Sequence, residues 1–108
     1  MNDIITRNEV LNDGKTVHLY FNGLVGLYVA YGYSAFLLSK TIAVSASYSW
    51  DMQMPVVVIN AVRQKEVVKI LQEKKHTPAY YCFVTRDAVN MDEYAEWAGK
   101  LREKEEAQ

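Results

Sequence analysis

The side chains of this sequence with catalytic or metal-binding chemistry are two histidines, one cysteine and a set of carboxylates. A structural metal site needs three or four ligands at close spacing, and His18 and His76 stand far apart without companions. Cys82 is alone and cannot close an internal disulfide. Nucleophilic catalysis needs a base beside the nucleophile, and acid–base catalysis by carboxylates needs two that converge. Neither assembles. His18 falls in the middle of a predicted strand, His76 sits at a predicted helix C-terminus where the dipole favours it, and Cys82 lies between Tyr81 and Phe83 as a buried, inert thiol. The carboxylates beyond residue 14 fall mainly on the two later predicted helices, whose solvated faces account for them. Gly23, Gly26 and Gly32 form neither a G-x-G-x-x-G turn nor a P-loop with its lysine. The expectation is a non-enzymatic chain with no metal, no cofactor and no small-molecule substrate.

Binding chemistry is the remaining resource. Twelve Lys+Arg against 13 Asp+Glu give a net charge of −1, without the strong positive field of a free-standing nucleic-acid binder. The charge is unevenly spread. Residues 15–50 carry Lys15 and Lys40 and no acid, and residues 61–75 hold Arg63, Lys65, Lys69, Lys74 and Lys75 against Glu66 and Glu73, whereas the C-terminal segment from Met91 is net acidic. Of the 8 tyrosines, Tyr20, Tyr28, Tyr31 and Tyr33 concentrate in one stretch. Such aromatics serve base stacking or core packing. Trp50 and Trp97 read as core or interface anchors.

The elements that must position these residues follow from pattern. Asn12-Asp13-Gly14 is a turn, and Lys15 to Phe21 is rich in β-branched and aromatic residues, as a strand requires. Asn22-Gly23 suits a two-residue type I′ turn, which would fold Leu24–Tyr31 back with Phe21 facing Leu24 and Val17 facing Tyr28. Both faces of that hairpin are apolar, so a central position flanked by helices is expected. A short helix is predicted from Ser34, as its cap, to about Ile42. Val44, Ala46, Tyr48 and Trp50 alternate with Ser45, Ser47, Ser49 and Asp51, the pattern of a half-buried strand. Val56-Val57-Val58-Ile59 reads as a strand buried on both faces. Asn60 caps a helix predicted to run to about Lys75, Thr77-Pro78 breaks the chain, and Ala79–Thr85 is a strand. Asn90 and Glu93 form a capping box for a last helix, in which Met91, Tyr94, Ala98 and Leu101 recur at helical spacing.

The order is ββαββαβα in an α/β (α+β) single domain over residues 1–108, a mixed sheet flanked by helices, with residues 1–14 and 103–108 as flexible ends. The apolar stretch over residues 24–38 is too short for the ~20 residues that span a bilayer. The N-terminus lacks the order of a signal peptide, so a cytoplasmic location and no membrane contact are expected.

His18-Leu19-Tyr20-Phe21-Asn22-Gly23, then Gly26-Leu27-Tyr28-Val29-Ala30-Tyr31, followed by Ser34-Ala35-Phe36-Leu37-Leu38, Met54-Pro55-Val56-Val57-Val58, Asn60-Ala61-Val62 and Ala79 to Phe83, resembles the N-terminal mismatch-recognition domain of MutS-type DNA mismatch repair proteins. The resemblance covers residues 17–83. In that family a Phe wedges beside the mismatched base and a Glu two residues later hydrogen-bonds it. Alignment on Ala35 puts Leu27 and Val29 at those positions, and alignment on Gly26 puts Tyr28 and Ala30 there. The Glu has no counterpart, so the resemblance implies kinship of fold and a DNA contact rather than mismatch repair itself. Leu27 or Tyr28 would touch a base step, with Lys40, Arg63, Lys65 and Lys69 near phosphates. The alternative is a protein-interaction or self-association module, using the same aromatic hairpin and the charged last helix against another chain or a second copy.

Overall fold

The computed structural model describes residues 2–107. Helix α1 (Asn2–Val10) is followed by β1 (Thr16–Asn22), β2 (Leu27–Tyr31), α2 (Gly32–Thr41), β3 (Ala46–Ser49), β4 (Met54–Ile59), α3 (Ala61–Ile70), β5 (Gln72–Thr77), β6 (Tyr80–Val84) and α4 (Met91–Glu106). The α+β class holds, and the eight expected elements occur in the expected order. Two elements are additional. Residues 2–10, expected within a flexible end, are helical, and the predicted long third helix stops at Ile70, so that Lys74, Lys75 and His76 lie on a strand. Likewise α4 continues as regular helix to Glu106.

The six strands form one sheet in the order β3-β4-β2-β1-β6-β5. Every pairing is antiparallel, where a mixed sheet was expected. The β1–β2 register also differs from expectation. Phe21 pairs with Tyr28 and Asn22 with Leu27, so residues 23–26 form the loop. Asn22 does not enter an I′ turn. Its side-chain oxygen accepts from the Leu24 N–H at 3.1 Å and its carbonyl from the Gly26 N–H at 2.9 Å, while Gly26 takes the positive φ of 69°. The expected partner of Phe21 was Leu24. Four residues is an even shift, so each side chain keeps its predicted face.

Alternation sorts the sheet into two faces. On one, Val17, Leu19, Ala30, Val57, Ile59 and Phe83 join Ala35, Leu37 and Leu38 of α2 and Val67 of α3 in the core, with Trp97 of α4 packed against it. Three helices therefore cover this side. On the other lies α1 alone. Ile5 is buried, and the Asn8 amide donates to the Tyr20 hydroxyl at 2.8 Å.

Helix α2 begins without a cap of its own. Tyr31 at the N-cap makes no side-chain bond, and Ser34, expected as the cap, sits inside the first turn. The cap comes from α1. Glu9, 3% exposed, accepts from the Ser34 N–H at 3.0 Å and from the Ser34 hydroxyl at 2.5 Å, while that hydroxyl oxygen accepts from the His18 N–H at 2.8 Å. Gly32 permits the approach: its φ is 56°, and a Cβ there would stand 3.2–3.3 Å from Met54 Sδ and Glu9. Asn60 and Asn90 cap α3 and α4 as expected, each accepting at 3.0 Å from the N–H three residues on. The Glu93 carboxylate does not close the capping box; it pairs with Lys40. Of the residues that recur at helical spacing in α4, Met91 is exposed, and Tyr94, Ala98 and Leu101 are partly covered. No helix among the described residues is long and apolar enough to cross a membrane.

Candidate functional site

The six residues expected to touch nucleic acid are not gathered in one place. Leu27 and Tyr28 are neighbours on β2 and so point to opposite faces of the sheet. Tyr28 lies on the helix-covered face, half-buried, with its ring centroid 5.0 Å from that of Phe21 and 6.0 Å from that of Tyr81. Lys40, at the end of α2, is ion-paired with Glu93 and stands 5.3 Å from the centroid of the Phe36 ring. Arg63 donates to the Ala43 carbonyl and pairs with Glu66 at 3.3 Å. Lys65 and Lys69 are exposed on α3. Two of the four cations thus already have protein partners, while two face solvent.

His76 is exposed on β5, not at a helix end. Its Nδ1 donates to the Glu73 carboxylate at 3.0 Å, and its ring stacks on Tyr81 with centroids 5.2 Å apart. Tyr28, Phe21, Tyr81 and His76 consequently form a group of neighbouring rings across β2, β1, β6 and β5 at the hairpin end of the helix-covered face.

The largest departure from expectation concerns the strand of four apolar residues, Val56 to Ile59. Val57 and Ile59 are buried, but Val58 is 49% exposed and Val56 only half-buried. Val58 pairs with Val29, Val56 with Tyr31 and Ser47, and Met54 with Ser49. Leu27 completes this side of β2. These eight outward positions of β2, β4 and β3 include no charged residue, and none is buried. Burial raises the Tyr31 phenol above its ordinary pKa, with the Asp51 carboxylate adding to the effect, so its hydroxyl is neutral as well. Between this area and α1 runs a groove lined by Ile5, Tyr20, Val29 and Tyr31. The result is an uncharged, largely apolar half-face open to water, where a solvated sheet face ordinarily carries polar residues.

On the far side of α1 the same face is polar. His18 Nδ1 and the Tyr80 hydroxyl are 2.5 Å apart, and Cys82 is buried next to them. Burial, and then the Lys75 ammonium, hold the His18 imidazole below its usual pKa. Burial pushes the phenol of Tyr20 up to about 12 and that of Tyr80 higher still. The cluster is therefore neutral at pH 7. Reading the sequence alone leaves His18 as an isolated strand residue, because its partners Tyr80 and Cys82 are distant in the chain. Among the described residues no group of three or more His, Cys, Asp or Glu could hold a metal ion. Comparison with protein-family models, with curated proteins and with solved structures finds no match to this chain.

Proposed function

We propose that the chain is a non-catalytic binding module that associates with a second copy of itself through the open half-face of β2, β4 and β3. The observation that carries this reading is the absence of charge at all eight outward positions, Val29 and Val58 at their centre. A nucleic acid or a charged peptide finds no complement there. An identical face brings no like-charge repulsion and can be joined about a two-fold axis. The reducing cytoplasm suits such a module, since its one cysteine is buried.

Sedimentation over a range of concentrations tests the proposal. The native chain is expected to pass from monomer to dimer, and Val58→Glu to stay monomeric with an unchanged unfolding midpoint. A native chain that remains monomeric at high concentration, or a Val58→Glu variant that still dimerises, overturns it.

The ring group of Tyr28, Phe21, Tyr81 and His76 favours a second reading, in which kinship with the MutS-type recognition domain extends to nucleic-acid contact. Here Tyr28 stacks on a base, and Lys65 and Lys69 lie toward phosphates. Fluorescence titration with short single-stranded and duplex DNA at two salt concentrations is the test. Phosphate contact makes affinity fall steeply with salt. No saturable binding at low salt rules this reading out.

A further inference from the structure

We infer that the cleft between α1 and the β5–β6 hairpin is a binding site for a phosphate-type oxyanion, carried on a small phosphomonoester. The cleft has a volume of about 350 Å³, at the low end of the range for small-molecule sites. Lys74, Lys75, His18, Tyr80 and Asn8 are among its lining residues.

The strongest observation is a defect in β5. Gln72 and Glu73 pair with Val84 and Phe83, but the next register position, opposite Cys82, is taken by Lys75 and not by Lys74. One extra residue has been inserted. In a regular strand two consecutive lysines point to opposite faces; the bulge turns Lys75 to the side of His18 and Cys82, and both lysines line the cleft. Lysines on an outer strand also keep other strands from pairing with it, but that role is met in any register and needs no bulge.

The surroundings fit an anion. Neither lysine has a carboxylate within ion-pair distance among the described residues. Asp13 lies on the rim, where its Oδ1 accepts from the Lys15 N–H and the Thr16 hydroxyl at 2.8–2.9 Å and its charge interacts with Lys74, so two ammonium groups face one carboxylate and one positive charge is in excess. His18 Nδ1 is occupied by the Tyr80 hydroxyl. When that hydroxyl donates, the ring proton sits on Nε2, which becomes a donor to a bound oxyanion. The Lys75 ammonium stands 5.9 Å from the Tyr80 ring centroid, which holds it over the same cluster. A volume larger than one phosphate leaves room for the carbon body of an ester.

NMR of the His18 imidazole reads this site directly. Inorganic phosphate and glycerol 3-phosphate are added separately, with sodium chloride at matched ionic strength as the control. A saturable shift is expected with both phosphates, tighter for the ester and absent with chloride. Loss of one charge-assisted contact in Lys75→Gln, and separately in Lys74→Gln, is expected to weaken binding roughly tenfold. Both side chains are exposed, so the fold should survive, and an unchanged unfolding midpoint verifies it. A shift that chloride reproduces, a shift that never saturates, or unaltered affinity in both variants overturns the site. Equal affinity for the two phosphates overturns the ester.

Discussion

On β4, Val57 and Ile59 are sealed beneath helices while Val56 and Val58, one residue away on the same strand, keep contact with water. The two faces of the sheet are made of similar side chains; what separates them is the supply of cover. Helices α2, α3 and α4 all pack on one side, and α1 alone lies on the other, over β1 and β6. Hydrophobic composition therefore states which residues gain from burial, and topology decides which of them obtain it.

The contrast can be tested by substitution, beginning with its strongest arm. Leu19→Ala, on the covered face, is expected to cost about 2–5 kcal/mol in chemical denaturation. Val58→Ala on the same sheet should stay within about 0.5 kcal/mol. Comparable losses at the two sites would break the distinction between the faces.

Next in size is the tie between them. Glu9 belongs to the helix on the open side and caps a helix on the covered side, and burial raises its pKa from 4.5 to about 7 despite the Ser34 and Asn12 hydrogen bonds. A carboxyl whose folded pKa is raised binds its proton more tightly in the folded state. Its contribution is accordingly greatest below the unfolded pKa and is lost as pH rises from 4.5 to about 7, in total about 3 kcal/mol. Tyr20, Tyr80 and Tyr94, which feel the Glu9 charge, all ionise above that window. Glu9→Gln should remove the fall in stability over this range, leaving the opposite, rising contribution of His18 with its depressed pKa, and should remove any acceleration of amide exchange in α1 beyond the intrinsic base-catalysed increase. A slope that persists in the variant assigns it to another group.

Lys40→Ala is the smallest test. It removes an ion pair with Glu93 in which both side chains are about half exposed, and a change of no more than about 1 kcal/mol is expected. A larger loss would show that the closure of α4 over the covered face depends on that pair.

The parts of the fold visible in the sequence are those with local signals. Asn60 and Asn90 announce two helix starts, β-branched and aromatic runs announce β1, β2 and β6, and alternation announces β3. Strand β5 is hidden because Gln72–Thr77 contains no apolar residue; its place comes from pairing with β6. Helix α1 is hidden because it buries little beyond Ile5 and a carboxylate whose partner, Ser34, is distant in sequence. For the sites, side-chain face is unchanged by the four-residue difference in hairpin register, so the alternation of β2 already sets Leu27 and Tyr28 on opposite sides. The openness of the Val29–Val58 area could not, since four consecutive apolar residues give no sign of which are covered. Nor could the pairing of Lys74 with Lys75, which depends on one irregular residue in a strand without its own signal.

Strand β5 also limits how copies of the chain can assemble. It forms one border of the sheet, and its residues from Gln72 to Thr77 are solvent-exposed, with Lys74 interrupting the ladder between the paired Glu73 and Lys75. Lateral addition of a further strand would have to accommodate those charges and the irregular spacing. Contact through the uncharged half-face consumes the only surface it uses, so that mode of assembly terminates at a pair and offers no route to a growing filament.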